Sequence, residues 1–356
     1  MSVSPFDHPL LGGLLGDEEA AHCFSVEAEI AAMVRFEIAL AQAEAEEGVI
    51  PAEAAEAITS ALSAANFDMA ALTRGIARDG VVVPEFVRQL RELVGEPHGA
   101  SVHFGATSQD VVDTGLARRL VELMAILKGR LDSLIERLTD LEERQGGVET
   151  MGHTRMQAAL PVAAARKIRS WREPLVRHRD RLSGLENDVA ILHFGGAVGS
   201  LDKLGDKGVG VSRRLAAKLG LGTVIRARHS ERDGQVALAN WLSMVSGSLG
   251  KMGQDIALLA QTEVGEIKLA TGGGSSAMPH KVNPVGAEVL VALARFNATL
   301  VSGMHHSLVH EGERSGAAWT LEWMVLPQMS VATASALRIA GGLIEGLSFS
   351  GKTASL

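Results

Sequence analysis

Residues 271–284, with the sequence TGGGSSAMPHKVNP, hold the side chains best suited to chemistry. Three consecutive glycines predict a loop that can open and close. A serine pair and a lysine follow, and then a predicted helix start with Asn283 as cap and Pro284 in the first turn. Such a hydroxyl, cation and helix N-terminus could remove a proton next to a carboxylate and hold the resulting negative charge. A flexible glycine–serine linker would explain the composition, but it would not require the MPHKVNP that follows.

A second segment, residues 102–114 (VHFGATSQDVVDT), places hydroxyls at the start of a predicted long helix. Thr107 and Asp110 have the spacing of a capping box, so Thr107 and Ser108 would lie at the positive end of that helix. This end could bind an anion. Plain helix capping explains the same residues.

The run GSSAMPHKVNP, residues 274–284, resembles the GSSxMPxKxNP signature of the fumarase/aspartase superfamily. The resemblance implies that Ser275 exchanges the proton on the carbon next to a carboxyl group. It also implies that Lys281 and Asn283 bind the substrate carboxylate, with Ser276 and Met278 as further substrate contacts.

The run HFGATSQDVVDT resembles the first conserved region of the same superfamily, in wording closest to carboxymuconate cycloisomerases and adenylosuccinate lyases. The resemblance implies that Thr107, Ser108 and Gln109 bind substrate carboxylates. His103 aligns with a site histidine of the adenylosuccinate lyases. A histidine packed in the interior is an equally good interpretation.

The third segment, GHTRMQAALP at residues 152–161, resembles the superfamily's GRTHxQxAxP region with one exchange. Arg155 stands where the lyases have their histidine acid, and His153 stands where they have arginine. Gln157 keeps the pattern and is expected to bind substrate.

The exchange has a chemical interpretation. An amine or hydroxide leaving group needs a strong acid, whereas a carboxylate with a pKa near 4 departs as an anion. Arg155 would then orient a carboxylate. If the segment is extended, positions 153 and 155 point to the same side, so His153 is the alternative acid.

The fourth segment, HEGERSGAAWTLEW at residues 310–323, resembles a run of the carboxymuconate cycloisomerases. Arg314 would bind a carboxylate, and Trp319 and Trp323 would shape the pocket. Glu288 follows the signature where the superfamily keeps a glutamate that partners the histidine acid. Here its partner would be Arg155 or His153, unless Glu288 is a surface carboxylate near a helix start.

Apolar residues at helical spacing place these segments on helices. Shorter patterns run through 17–48, 51–65 and 83–94, and long ones through 109–143, 162–191, 231–264, 284–309 and 317–345. Pro174 predicts a kink or a break in the second long helix. The predicted fold is an all-α, elongated helical bundle of the fumarase/aspartase type. We expect an N-terminal helical domain (1–100), a central bundle domain (101–346) and a short tail (347–356), without the further small domain usual in the superfamily.

Composition limits the partners. The chain has 356 residues and a formal charge of −8, with 34 basic and 42 acidic side chains and no long basic run, which argues against nucleic acid. Its most apolar stretch, residues 234–250, is short for a membrane span and fits a buried helix. One cysteine and no basic leader favour the cytoplasm. Metal and nucleotide motifs are missing, so we expect no cofactor.

Apolar faces remain on the predicted helices after one chain is packed, which predicts an oligomer. The resemblance implies a homotetramer whose sites are shared between subunits and bind a small anionic tricarboxylate. It further implies 3-carboxy-cis,cis-muconate cycloisomerisation in protocatechuate degradation (the β-ketoadipate pathway). The alternatives are a fumarate-releasing lyase of the adenylosuccinate type, a cycloisomerase for a sulfo-substituted muconate, and a non-catalytic helical scaffold.

Overall fold

A computed structural model describes residues 3–270, 272–274, 278 and 281–351, so Ser275 and Ser276 lie outside the described residues. The helices are α1 (Gly12–Leu15), α2 (Glu18–His22), α3 (Val26–Glu46), α4 (Ala52–Leu62), α5 (Met69–Asp79), α6 (Val83–Val94), α7 (Ser108–Gln145), α8 (Ala164–Val189), α9 (Gly208–Leu219), α10 (Asp233–Leu259), α11 (Val285–His306) and α12 (Ala317–Glu345). The strands are β1 (Glu149–Thr154), β2 (Gln157–Ala163), β3 (Ile267–Leu269) and β4 (Leu347–Phe349). The predicted all-α bundle is confirmed.

The long helix α7 forms because leucines recur in steps of three and four residues and bury one stripe. Leu123, Leu127, Leu131, Leu138 and Leu141 are all buried in the bundle core. The 38 residues of α7 span about 57 Å at 1.5 Å per residue. The element that carries Thr107 and Ser108 therefore runs the length of the bundle.

The other four long helices also lie where the periodicity predicted them. Helix α8 contains Pro174 and continues as one helix, so the predicted break is not present. Helices α5 and α9 were not predicted. Helix α9 begins GVGV, and two glycines in its first turn obscure its helical pattern.

Helices α10 and α11 pack backbone against backbone because α10 carries glycine at the contact. A Cβ added to Gly250 would lie 2.4 Å from the Cβ of Ala294, and one added to Gly253 would lie 2.5 Å from the carbonyl oxygen of Ala287. No larger residue fits at either position. The stretch 234–250 lies in α10 and contributes many core residues, as predicted for a buried helix.

Residues 149–163 form a β-hairpin rather than one extended segment. Strands β1 and β2 pair antiparallel, with His153 opposite Ala158 and Thr154 opposite Gln157. Arg155 and Met156 form the two-residue turn with φ values of 48° and 67°, as in the turns that close tight hairpins. The expectation that positions 153 and 155 share one strand face is therefore wrong, because the chain reverses at Arg155.

A second hydrophobic cluster joins helices α3, α4, α5 and α6 to α9 and to the first turns of α7. Val111 and Val112 of α7 belong to it, so this cluster holds the α7 N-terminus in place. The division of the chain at residue 100 stays a prediction.

Among the described helices, α11 alone is long and apolar enough to cross a membrane by length and composition. Only 28% of its most apolar window is buried within the protomer. One such helix is weak evidence for a membrane span. An oligomer would cover the same apolar face.

Candidate active site

The N-terminus of α7 is fixed by one buried carboxylate. Asp110 accepts hydrogen bonds from the backbone nitrogens of Thr107 (2.9 Å), Gly195 (2.8 Å) and Gly196 (2.9 Å). Its Oδ1 also lies 2.7 Å from Nε2 of His229. The predicted capping box is thus present, and its carboxylate ties the start of α7 to two loops.

Only glycine fits at position 196 in this arrangement. Gly196 has a φ of 69°, and a Cβ there would lie 2.7 Å from the carbonyl oxygen of Gly105. Both the left-handed backbone and the close approach exclude a side chain. The glycine-rich loop therefore lies directly against the segment that leads into α7.

Arg314 reaches this helix start from the loop between α11 and α12. Its guanidinium donates to the hydroxyl of Thr107 and to the carbonyl oxygen of Ala197. Beside it opens a cleft of about 860 Å³, here called the main cleft. Its walls include five residues that the sequence predicted as site or pocket residues: Ser108, Gln109, Arg314, Trp319 and Trp323. Two sequence segments about 200 residues apart thus meet where a helix N-terminus and an arginine favour an anion.

A buried ion network lies under the main cleft. Arg232 has a fully buried side chain and donates to Oδ2 of Asp113 at 2.7 Å and to Oε1 of Glu322 at 2.8 Å. Burial alone would lower the pKa of Arg232, but the two carboxylates raise it above its usual value. Burial would raise the pKa of Asp113, yet the charge of Arg232 holds it below its usual range. Arg232 and Asp113 therefore each stabilise the charged form of the other.

Asp113 also holds two wall residues of the main cleft. The indole Nε1 of Trp319 donates to Oδ1 of Asp113 at 2.9 Å, and Nε2 of Gln109 donates to Oδ2 at 3.0 Å. Gln109 donates further to the carbonyl oxygen of His229 at 2.8 Å. Its amide donors are therefore engaged within the protein, and its Oε1 has no protein partner among the described residues.

His103 packs against helix α3. Its Nδ1 lies 2.6 Å from Oε1 of Glu37, whose side chain is almost fully buried. Burial by itself lowers the pKa of His103, but the charge of Glu37 and the hydrogen bond raise it above the ordinary histidine value. This contact is the one that a packed histidine would make, and the role of His103 as a site histidine stays a prediction.

His193 is fully buried beside the ion network, and burial is the main cause that lowers its pKa to about 4. Neither of its ring nitrogens has a hydrogen-bond partner among the described residues. Among all the residues that the structure describes, no three His, Cys, Asp or Glu side chains form a cluster that could hold a metal ion.

The described part of the signature loop is closed by a small antiparallel bridge. The backbone nitrogens and carbonyl oxygens of Gly273 and Asn283 pair in both directions at 2.9 Å. Asn283 donates its side-chain amide to the carbonyl oxygen of Gly274 at 3.3 Å. Helix α11 begins at Val285 with Pro284 as its N-cap. The predicted capping by Asn283 is wrong, because the bridge holds this residue in extended pairing one position earlier.

Lys281 and Glu288 are exposed, Met278 is 43% exposed, and none of them lines the main cleft. The signature loop precedes α11 and Arg314 follows it, so they lie beyond opposite ends of a helix of 22 residues, about 33 Å long. His153, Arg155 and Gln157 are exposed on the hairpin. The backbone nitrogen of Met151 in β1 donates to Oε1 of Glu266 at 3.1 Å, and Glu266 directly precedes β3, so the hairpin lies at the signature-loop end. One protomer thus brings together the second and fourth segments, and it keeps the first and third segments apart from them.

A model of the lyase family matches residues 18–296. The 3-carboxy-cis,cis-muconate cycloisomerase of Pseudomonas aeruginosa is 41% identical over 330 residues, or 91% of this chain and 72% of the relative. The chain belongs to the fumarase/aspartase superfamily. The crystal structure of the 3-carboxy-cis,cis-muconate lactonizing enzyme from Pseudomonas putida matches with a TM-score of 0.90 and 37% identity, over 96% of this chain and 77% of that one. An N-acetyl-S-(2-succino)cysteine lyase of Enterococcus italicus is 34% identical, over 90% of this chain and 71% of the relative.

For this superfamily member, sequence reasoning missed the residues that support the site. Arg232 and His229 lie in a stretch without a motif, and Asp110 was interpreted only as a capping residue. A signal was present in α7, where Asp110 and Asp113 lie three residues apart beside the apolar Val111 and Val112. Buried carboxylates require partners, so this spacing predicts a cation or N–H groups packed against them.

Proposed function

We propose that this chain is a 3-carboxy-cis,cis-muconate cycloisomerase that forms 4-carboxymuconolactone. The observation that carries the proposal is the meeting of Arg314 with the N-terminus of α7 in the main cleft. An arginine, two hydroxyls and a helix end suit a substrate with several carboxylates. The similarity to the cycloisomerases of Pseudomonas aeruginosa and Pseudomonas putida supports the same activity.

The reaction is an isomerisation, so it needs no second substrate. One carboxylate oxygen of the muconate forms a bond to an alkene carbon. The electron pair of the double bond moves to the neighbouring carbon and is delocalised into the carboxyl group attached there, as an aci-carboxylate. A proton then adds to that carbon. We assign the proton transfer to Ser275, which acts as acid in lactonisation and as base in reverse, and charge stabilisation to Lys281 and Asn283.

The remaining substrate contacts are assigned by their position. Thr107, Ser108 and Arg314 would hold one carboxylate at the α7 end of the main cleft. Arg155 would hold another, because in the reverse reaction the leaving group is a carboxylate that departs without a proton. His153 is the alternative acid, and a pH profile with its ionisation would favour it.

This assignment requires more than one subunit. Within a protomer, Lys281 precedes α11 and Arg314 follows it, and this helix of 22 residues is about 33 Å long, far longer than one small substrate. We propose a homotetramer in which each site takes the α7 end from one subunit and the signature loop and hairpin from others. The apolar window of α11, of which only 28% is buried within the protomer, supports this assembly. We also propose that the enzyme is cytoplasmic.

The test is spectrophotometric. The purified protein is mixed in parallel with 3-carboxy-cis,cis-muconate and with adenylosuccinate, and loss of the conjugated diene and release of fumarate are followed. We expect diene loss alone. Ser275→Ala should abolish it, because the proton donor is gone, while Ser63→Ala at the exposed end of α4 should keep wild-type turnover.

Substantial activity in Ser275→Ala would show that the proton donor is assigned wrongly. Fumarate release would favour the lyase alternative. An inactive protein that remains a folded oligomer would contradict the proposed substrate and direct the search to a sulfo-substituted muconate or to a scaffold role.

A further inference from the structure

A second cavity lies behind the main cleft, between the N-terminal helices and the bundle. It has a volume of about 300 Å³ and is here called the apolar cavity. Most of its walls are hydrophobic, and they include Phe24, Ile76, Val112, Leu116, Leu326 and Pro327. Its size and lining are those of a site for a small organic molecule.

One buried cation, Arg119, faces the apolar cavity. The residue is 7% exposed and donates only to backbone, from Nε to the carbonyl oxygen of Gly115 at 3.3 Å and from Nη1 to that of Cys23 at 3.1 Å. Among the described residues no carboxylate forms an ion pair with it. Arg232, which is equally buried, has two carboxylate partners. A buried guanidinium is costly without an anion, so Arg119 is short of one.

The other polar groups of the apolar cavity do not supply that anion. Glu322 has both oxygens bonded to Arg232. Glu29 is half-buried at the wall and acts on Arg119 only from a distance. The indole Nε1 of Trp323 is buried with no acceptor among the described residues. Trp323 is a wall residue of the main cleft as well as of the apolar cavity. Arg119 is therefore the cation of the apolar cavity that has no carboxylate partner among the described residues.

We propose that the apolar cavity is a second binding site, separate from the main cleft, for a small aromatic monocarboxylate. The carboxylate pairs with Arg119, and the ring packs against Phe24 and Leu116. The walls favour a single negative charge, because a second carboxylate would lie against apolar side chains or Glu29.

The experiment is a ¹⁹F NMR titration of the full-length protein with 4-fluorobenzoate, and with 4-fluorobenzyl alcohol as the neutral match. Arg119→Gln should lower the affinity for 4-fluorobenzoate by at least about 10-fold and the affinity for the alcohol by less than about 2-fold. Only the acid loses a charged hydrogen bond. Glu29→Gln should raise the affinity for 4-fluorobenzoate by a few-fold, because it removes a neighbouring negative charge. Arg314→Gln in the main cleft should change neither.

The opposite pattern would overturn the proposal. Weakening by Arg314→Gln but not by Arg119→Gln would place the acid in the main cleft. Equal binding of acid and alcohol, or no saturable shift of the acid, would exclude carboxylate recognition at this cavity.

A surface substitution covers the case in which Arg119→Gln fails to fold. Ile76 is 45% exposed at the cavity wall, so replacement there should be tolerated. Ile76→Glu should lower the affinity for 4-fluorobenzoate by about 3-fold or more through charge repulsion, while Ile76→Gln should leave this affinity unchanged. Equal affinity in the two variants would contradict the proposed location.

Discussion

Glu44 should make the protein less stable as the pH rises. It lies on α3 with no exposed surface, and neither carboxylate oxygen has a hydrogen-bond partner among the described residues. Burial, and then the charge of Glu37, raise the pKa of Glu44 from 4.5 to about 9. The folded protein therefore keeps a proton at neutral pH that the unfolded chain releases.

The sign and size follow from this difference in bound protons. A carboxyl group with a raised folded-state pKa contributes stability that declines as the pH rises from its unfolded pKa towards its folded one. Each pH unit in this window changes the free energy of unfolding by about 1.4 kcal/mol. Between pH 5 and pH 8, the titration of Glu44 alone should lower the free energy of unfolding by about 4 kcal/mol.

Glu44→Gln is the matched perturbation, because it keeps the shape of the neutral carboxyl group and removes its titration. Urea unfolding of wild type and variant at pH 5 and pH 8 measures the difference. The variant should gain about 4 kcal/mol relative to wild type between the two pH values. Glu46→Gln on the same helix is the control: bonding to Lys218 lowers the pKa of the exposed Glu46, so its stabilisation is lost as the pH falls.

Equal pH dependence in Glu44→Gln and wild type would refute this reasoning. It would mean that Glu44 is ionised in the folded protein and is paired with water or with a group outside the described residues. If Glu46→Gln also removed the decline in stability between pH 5 and pH 8, the cause would be surface charge and not the burial of Glu44.

Two further variants test buried charge pairs. Arg232→Met should lower the free energy of unfolding by about 3–5 kcal/mol, because two buried carboxylates lose their cation. Urea unfolding measures this loss. An unfolding midpoint equal to that of the wild type would contradict the ion network. Glu37→Gln should lower the pKa of His103, because the negative charge of its partner is removed. NMR titration of the imidazole ring measures this pKa. An unchanged pKa would show that Glu37 does not cause the raised pKa of His103. Because the pKa of His103 is raised in the folded state, its stabilising contribution is present at low pH and is lost as the pH rises through that value.

Local patterns in the sequence were enough to predict the long helices and the capping box at Thr107. A leucine stripe and a hydroxyl–carboxylate pair act within one or two turns of a helix, so neighbouring residues determine them. The signature motif was likewise legible, because its residues are contiguous. The family and the all-α fold followed from these features.

The hairpin turn at Arg155 and the pairing of Asn283 with Gly273 depend on which segments the fold brings side by side. The same is true of the buried partners: nothing near Arg232 in the sequence indicates that Asp113 and Glu322 will neutralise it. Arg314 and Thr107 are about 200 residues apart and meet only because α11 returns the chain to the start of α7. The sequence by itself determined which residues could do chemistry. The tertiary structure decided which of them share a cleft, because the length of α11 separates one half of the predicted site from the other.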